Sequence, residues 1–258
     1  MLKKRLIGVV IVRDGLAVQS FNYRRYLPVG KPEVLIENLD RWGADEILLQ
    51  CIDRSSEQSG PNFTLLNRVG SLGLSTPLIY AGGIRDAEDA VKVVSMGADR
   101  ISVDSILWDA PQHLENISRE LGTQALIANM PVHVKENNLF WRNYRTEEEV
   151  HLSDQILAKL PLEWISEVML TDWSHEGVAG GFDLRIPALC PIVEKPLLLF
   201  GGLSEPAQHR AMLSKPNVVA TGVGNFLNYK EHAIQKIKQQ MSGIPLRAAQ
   251  YAGEGKLL

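Results

Sequence analysis

Two stretches far apart in this chain follow one plan. Glu46-Ile-Leu-Leu49 leads to Pro77-Leu-Ile-Tyr-Ala-Gly-Gly-Ile84, and Glu167-Val-Met-Leu170 leads to Pro196-Leu-Leu-Leu-Phe-Gly-Gly-Leu203. Each Gly-Gly pair is followed by an amphipathic stretch and then by a β-rich run ending in small or polar residues, Ser102-Val-Asp-Ser105 in one copy and Thr221-Gly-Val-Gly224 in the other. Self-similarity over such a distance marks an internal duplication. Short β-rich runs at 5–12, 46–51, 77–81, 100–103, 125–130, 167–171, 196–200 and 218–222 alternate with amphipathic stretches such as Pro32 to Trp42, Asp86 to Met96, Pro111 to Leu121 and Glu205 to Leu213. Several of these open on a capping residue or on Pro in the first turn, where a helix tolerates it. Eight strand–helix units in 258 residues predict an α/β fold, a single (β/α)8 barrel spanning 1–258 with half-barrels of about 1–122 and 123–258.

The four charges that precede predicted strands constrain the interior. Arg5, Glu46, Arg100 and Glu167 each stand at the start of an apolar run. Strand residues two apart face the same side, so Arg5 shares the interior with Ile7, Val9 and Ile11, and Glu46 with Leu48 and Gln50. The four therefore ring one pole of the barrel. A closed network of opposite charges is tolerable there, and it reads either as a structural salt-bridge cluster or as a gate.

At the other pole the same inward phase brings Ile11, Gln50, Asp104, Asn129 or Pro131, and Thr171 to the mouth. Barrel enzymes keep their chemistry at this end. Asp104 is the only carboxylate of that set, and acid–base work needs such a group. His175 and Glu176, on a short loop ending at Gly177, are candidates to exchange protons with a ligand, although a solvated loop explains them equally well. Longer loops from about Gly15 to Pro32 and from Val132 to Val150 are candidate lids. Glycine pairs at strand ends let backbone approach a phosphate. One set, Gly82 and Gly83 with Ser102 and Ser105, and its duplicate, Gly201 and Gly202 with Gly222 and Gly224, predict two phosphate sites and hence a ligand with two phosphates. Tight turns alone are the competing explanation for these glycines.

Composition narrows the partners. A net charge of −3 with no long basic stretch gives no electrostatic footprint for nucleic acid or an acidic membrane. Lys3, Lys4 and Arg5 before an apolar run imitate a secretory signal, but the run ends at Arg13-Asp14-Gly15 without a small-residue cleavage site, so a first strand explains it better. No run approaches the roughly 20 apolar residues of a membrane span. Cys51 and Cys190 have no metal-ligand spacing, Cys51 reads as core, and His113, His133, His151, His209 and His232 are scattered. The expectation is a cytoplasmic protein with no metal and no cofactor.

Along nearly its whole length the sequence resembles the cyclase subunit of imidazole-glycerol-phosphate synthase, a duplicated barrel of histidine biosynthesis. The matching stretches are Met1-Leu-Lys-Lys-Arg-Leu-Ile7 with Arg13-Asp-Gly15, Gly43-Ala-Asp-Glu-Ile-Leu-Leu49, Gly82-Gly-Ile84, Gly97-Ala-Asp-Arg-Ile-Ser102, Thr123-Gln-Ala125, Glu176-Gly177 with Gly181-Phe-Asp183, and Gly201-Gly202. The resemblance implies a substrate phosphorylated at both ends and a glutaminase subunit docked on the N-terminal (bottom) face, sending ammonia up the axis. It places the family gate on Arg5, Glu46, Arg100 and Glu167, and a glutaminase-interface position on Asp99. It places phosphate positions on Gly82, Gly83, Ser105, Gly201 and Gly202.

Departures are equally plain. The family's two catalytic aspartates fall on Ile11 and Pro131, and its strand-one loop lysine on Gln19. A well-placed acid or base contributes about 10²- to 10⁴-fold, so losing both argues against the ordinary cyclase reaction. Paralogues found with surface-polysaccharide genes look similar in the aromatic-basic segment Phe21-Asn-Tyr-Arg-Arg-Tyr26 and in Gly30-Lys-Pro32, although Pro131 and Gln50-Cys51 depart from them too. The leading expectation is a cyclase-like barrel that binds a phosphorylated small molecule and passes ammonia from a glutaminase to an acceptor sugar. The alternatives are a true cyclase that recruits Asp104, Glu176 or His175, and a non-catalytic scaffold that stimulates the glutaminase.

Overall fold

The computed structural model describes residues 3–228 and 233–249; Met1-Leu2 of the matching opening, His232 and residues 250–258 of the second half lie outside them. Among the described residues the strands are β1 (Arg5–Arg13), β2 (Leu16–Phe21), β3 (Arg25–Gly30), β4 (Glu46–Cys51), β5 (Leu78–Ala81), β6 (Arg100–Val103), β7 (Leu126–Lys135), β8 (Asn138–Arg142), β9 (Glu149–His151), β10 (Glu167–Asp172), β11 (Leu197–Phe200) and β12 (Val218–Val223). Eight of them, in the order β10-β11-β12-β1-β4-β5-β6-β7, are parallel, and β10 pairs with β7 to close the barrel. The alternating phase follows the pleat: Ile7, Val9, Ile11, Leu48, Ile79, Ile127, Met169 and Leu198 pack inside, while Leu6, Val10, Val12, Ile47 and Leu49 pack outward.

The helices begin where their sequences say they should. Pro32 opens Pro32–Arg41 in the first turn, and the Asp86 side chain accepts the Asp89 amide at 2.9 Å to cap Ala87–Ser95. Glu205 and Gln208 form a capping box at the start of Pro206–Leu213. The helical layer is thin after β9 and β10, where only the short helices Asp154–Leu157 and Ile186–Leu189 appear. Pro161 interrupts the first segment, and Gly177, Gly180, Gly181 and Pro191 break up the second.

Both predicted mouth loops are hairpins rather than irregular loops. β2 and β3 pair antiparallel, as do β7, β8 and β9. The turn chemistry is hidden in the sequence, because Asn22 and Tyr23 take positive φ of 56° and 52°, and Glu136 and Asn137 of 51° and 60°, without a glycine.

A shorter repeat lies within the first half-barrel. In Gly43-Ala-Asp-Glu46 and Gly97-Ala-Asp-Arg100 the aspartate clamps its strand to the one before. Asp45 donates its amide to the Leu6 carbonyl and its Oδ2 accepts from the Leu6 amide at 2.8 Å; Asp99 does the same with Leu78, also at 2.8 Å.

Candidate functional site

At the N-terminal pole the four charges meet in a closed alternating ring. Arg5 contacts Glu46 Oε1 at 3.3 Å and Glu167 Oε1 at 2.5 Å, and Arg100 contacts Glu46 Oε1 at 3.2 Å and Glu167 Oε2 at 2.7 Å. Arg100 also donates to Ser166 Oγ and to the Gln124 carbonyl, which anchors its plane. Burial pushes the Glu46 carboxyl up, and the two guanidiniums pull it back without cancelling the effect. Among the described residues Glu46 Oε2 and Arg5 Nε have no hydrogen-bond partner. The ring floors an open depression that Asp99 also lines, and above it lies the apolar interior of the barrel.

The opposite pole holds a cavity of about 320 Å³. Its floor carries Gln50, Asp104, Asn129, Pro131 and Thr171. Asn129 and Pro131 are two apart on β7 and both reach the cavity, so neither excludes the other. Thr171 donates its hydroxyl to Asn129 Oδ1 at 2.7 Å, and Asn129 in turn hydrogen-bonds Asp104. Burial drives the Asp104 carboxyl up to about 7, against the opposing pull of Arg145 and Asn129. A carboxyl that holds and releases its proton near neutrality is suited to general acid–base work. On one flank Gly82, Gly83, Ser102, Ser105, Ser55 and Tyr144 face the space; on the other stand Tyr23, whose hydroxyl donates to Gln50 at 3.2 Å, and Trp173 under Arg142 at 4.0 Å.

The β2–β3 hairpin closes the remaining sector of the mouth. Ser20 Oγ and the Tyr23 amide donate to Glu176 Oε2 at 2.8 and 3.3 Å, the Asn22 amide donates to the Glu176 carbonyl at 2.9 Å, and Asn225 clasps both backbone groups of Ser20. Glu176 is 1% exposed, and burial lifts its carboxyl to about 7. Of the three residues expected to handle protons, only Asp104 therefore reaches the cavity. Glu176 is a latch beneath the hairpin, and His175 is directed to Asp172 Oδ2 at 2.9 Å. Sequence spacing cannot show that a hairpin some 150 residues earlier folds over this loop.

The family described as "Histidine biosynthesis protein" matches residues 5–233. The chain belongs to that family. Within it, the chain is 26% identical to "Imidazole glycerol phosphate synthase subunit HisF" of Thermococcus gammatolerans, covering 96% of this chain and 99% of that relative. It is 27% identical to "Putative imidazole glycerol phosphate synthase subunit hisF2" of Vibrio vulnificus, covering 95% and 91%. It is 30% identical to the subunit of the former name from Xanthomonas campestris, covering 82% and 84%.

For this member of the histidine biosynthesis family the two glycine pairs have the same backbone reason. A Cβ on Gly82 would lie 2.2 Å from the Cys51 carbonyl oxygen, and one on Gly201 would lie 2.3 Å from that of Asp172. The next glycines repeat this, with Gly83 against the Gly60 oxygen at 2.4 Å and Gly202 against that of His175 at 2.6 Å. The pairs are thus required by close strand-to-loop packing whether or not a ligand binds. Their surroundings differ: Gly82 and Gly83 line the cavity, whereas Gly201, Gly202, Gly222 and Gly224 do not. Gly82→Ala is expected to cost several kcal/mol, on the order of 3, by pushing Cβ into that carbonyl. Gly224→Ala, whose Cβ would meet Phe200 at an ordinary 3.4 Å, is expected to stay within about 1 kcal/mol of the parent, and urea melts of the two variants compare them.

Ser55 and Tyr144 were not legible as site residues, because one lies in the loop after β4 and the other beyond β8, and only the closed barrel brings them together. At the rim Asp14, Asp53 and Glu57 place carboxylate oxygens within 4.8 Å of one another, yet exposed acids often gather so, and the Asp14 amide already donates to Asp53. Cys51 packs in the outer core with its thiol pushed up to about 12 by burial, which makes it a poor nucleophile. Among the described residues no helix is long and apolar enough to cross a membrane.

Proposed function

We propose that this chain is the cytoplasmic barrel subunit of a glutamine amidotransferase system. A glutaminase docks on the N-terminal face beside Asp99, ammonia passes the Arg5–Glu46–Arg100–Glu167 gate, and an acceptor with a phosphate at Gly82, Gly83, Ser102 and Ser105 waits in the mouth. The acceptor is a sugar of polysaccharide assembly, in keeping with the aromatic-basic hairpin and with Ile11 and Pro131 where cyclases carry acids. The observation that carries this reading is the closed charge ring beneath an apolar barrel interior. Neutral ammonia can enter such an interior at far smaller desolvation cost than ammonium, so the ring and the apolar layer together favour a neutral cargo. Arg5→Ala is expected to break the coupling between glutamine consumption by the partner and product formation at the mouth; unchanged coupling sinks the channel.

A second reading is favoured by Asp104. Its carboxyl, poised near 7 and steadied by Asn129 and Thr171, can take over proton transfer in a true cyclase. The two readings part on turnover of the family's bisphosphate substrate by the purified chain with an ammonium salt and no partner. Absence of turnover is expected. Turnover that disappears in Asp104→Asn, by about 10²-fold or more, would replace the first reading with the second.

A further inference from the structure

The flank of the mouth built from β8, the end of β10 and the β2–β3 turn is rich in donors and short of acceptors. Trp173, just after β10, lies under the Arg142 guanidinium at 4.0 Å, and Arg24 from the hairpin turn stands 6.0 Å from the same ring. All three line the cavity. His133 on β7 meets the indole edge-on, with ring centroids 5.5 Å apart, which helps hold the ring in its tilt.

The Trp173 indole nitrogen is buried and has no hydrogen-bond partner among the described residues. An indole N–H can only donate, so an acceptor is what this position lacks. The Arg24 guanidinium has no carboxylate partner among the described residues either. Arg142 donates to Glu147 at 3.0 Å and lies 3.6 Å from Glu149, beyond a hydrogen bond. Glu147 is 74% exposed, so its hold on Arg142 is weak and a ligand displaces it at little cost. Of the acids lining the cavity, Asp53 and Glu57 follow β4 and Asp104 follows β6; Glu147 alone comes from this flank.

The charge and shape of the flank select the kind of acceptor. With Glu147 displaced, the two guanidiniums against Glu149 leave one net positive charge, which matches a monoanion better than a phosphate dianion. A guanidinium lying over an indole keeps its N–H edge free for an acceptor in its own plane, and a flat carboxylate fills that edge with two oxygens. We infer that this flank binds a carboxylate, so that the acceptor in the mouth is an acidic sugar, a uronate, rather than a neutral one. This deepens the sugar-acceptor reading proposed above and rests on it for the remainder of the ligand.

The test is calorimetric titration of the purified full chain with three probes that differ only at the sixth carbon: glucose 1-phosphate, glucuronic acid 1-phosphate and glucose 1,6-bisphosphate. The uronate is expected to bind at least about tenfold more tightly than glucose 1-phosphate. That preference should fall below about threefold in Arg24→Ala and in Trp173→Phe. The first removes an exposed side chain and the second keeps the ring, so both should leave the thermal melt in place. Binding of the uronate and glucose 1-phosphate within about threefold of each other in the parent overturns the carboxylate inference and leaves the sugar reading standing. Tighter binding of the bisphosphate than of the uronate does the same, since it marks the flank as a site for a dianion. No binding of any of the three, with the fold intact by circular dichroism, overturns both. A preference for the uronate that survives in both variants overturns the assignment to this flank.

Discussion

Replacing Glu46 by Ala is expected to destabilise the barrel by about 3 kcal/mol and to lower Tm by roughly 6 to 12 °C. Glu46 is 5% exposed and its Oε1 serves both Arg5 and Arg100. Removing it leaves two guanidiniums at the barrel floor sharing Glu167, which already contacts both of them. Loss of one partner from a buried ion network is costly because the remaining charges cannot be rehydrated. Glu46→Gln keeps the volume and an acceptor oxygen and should cost less than half as much. Thermal melts of the two variants at one pH measure the difference. If Glu46→Ala melts within about 2 °C of the parent, the ring is solvated enough to be energetically idle, and its reading as a structural salt-bridge cluster fails with it.

The second large effect is a pH dependence set by Glu176. Its carboxyl is lifted to about 7 in the folded chain by burial under the hairpin, above its ordinary value of 4.5. A raised acid favours the folded state most while it is protonated. Its contribution is therefore complete below the unfolded value and is lost as pH rises through the folded one. Between about pH 5 and about pH 8.5 the loss amounts to roughly 2 to 3 kcal/mol. Glu176→Gln removes the titration. Relative to the parent, the variant should gain about that much stability over the same interval, read from urea midpoints at the two ends. Equal pH profiles for the two proteins would show that the hairpin is not seated on a protonated Glu176. Asp104, lifted to about 7 as well, adds a fall of the same sign in both proteins and so cancels in the comparison.

Much of the architecture was legible because it is periodic. The eight apolar runs became the eight parallel strands, with ends shifted by a residue or so, except that β7 runs on to Lys135 to pair with β8. The inward phase of Arg5, Ile7, Val9 and Ile11 follows from the pleat alone, and so do the ring at one pole and Asp104 at the other. The glycine pairs were legible as a repeat but not as a function, since the close backbone approach at Gly82 and Gly201 accounts for both.

What the sequence by itself determined is whatever local rules carry: strand periodicity, helix caps, the duplicated Gly-Gly signature, and the side of the sheet each charge faces. These depend on neighbours a few residues away, or on an alternation that no distant contact can change. Tertiary structure alone decided which titratable groups meet the cavity. Glu176 and Asp104 each end a barrel strand or follow one, and both are lifted towards neutrality, yet one is roofed by Ser20 and Tyr23 and the other is open to the cavity. The β2–β3 hairpin makes that difference through contacts spanning most of the chain, and solvent access, unlike periodicity, is a property of everything that packs around a group.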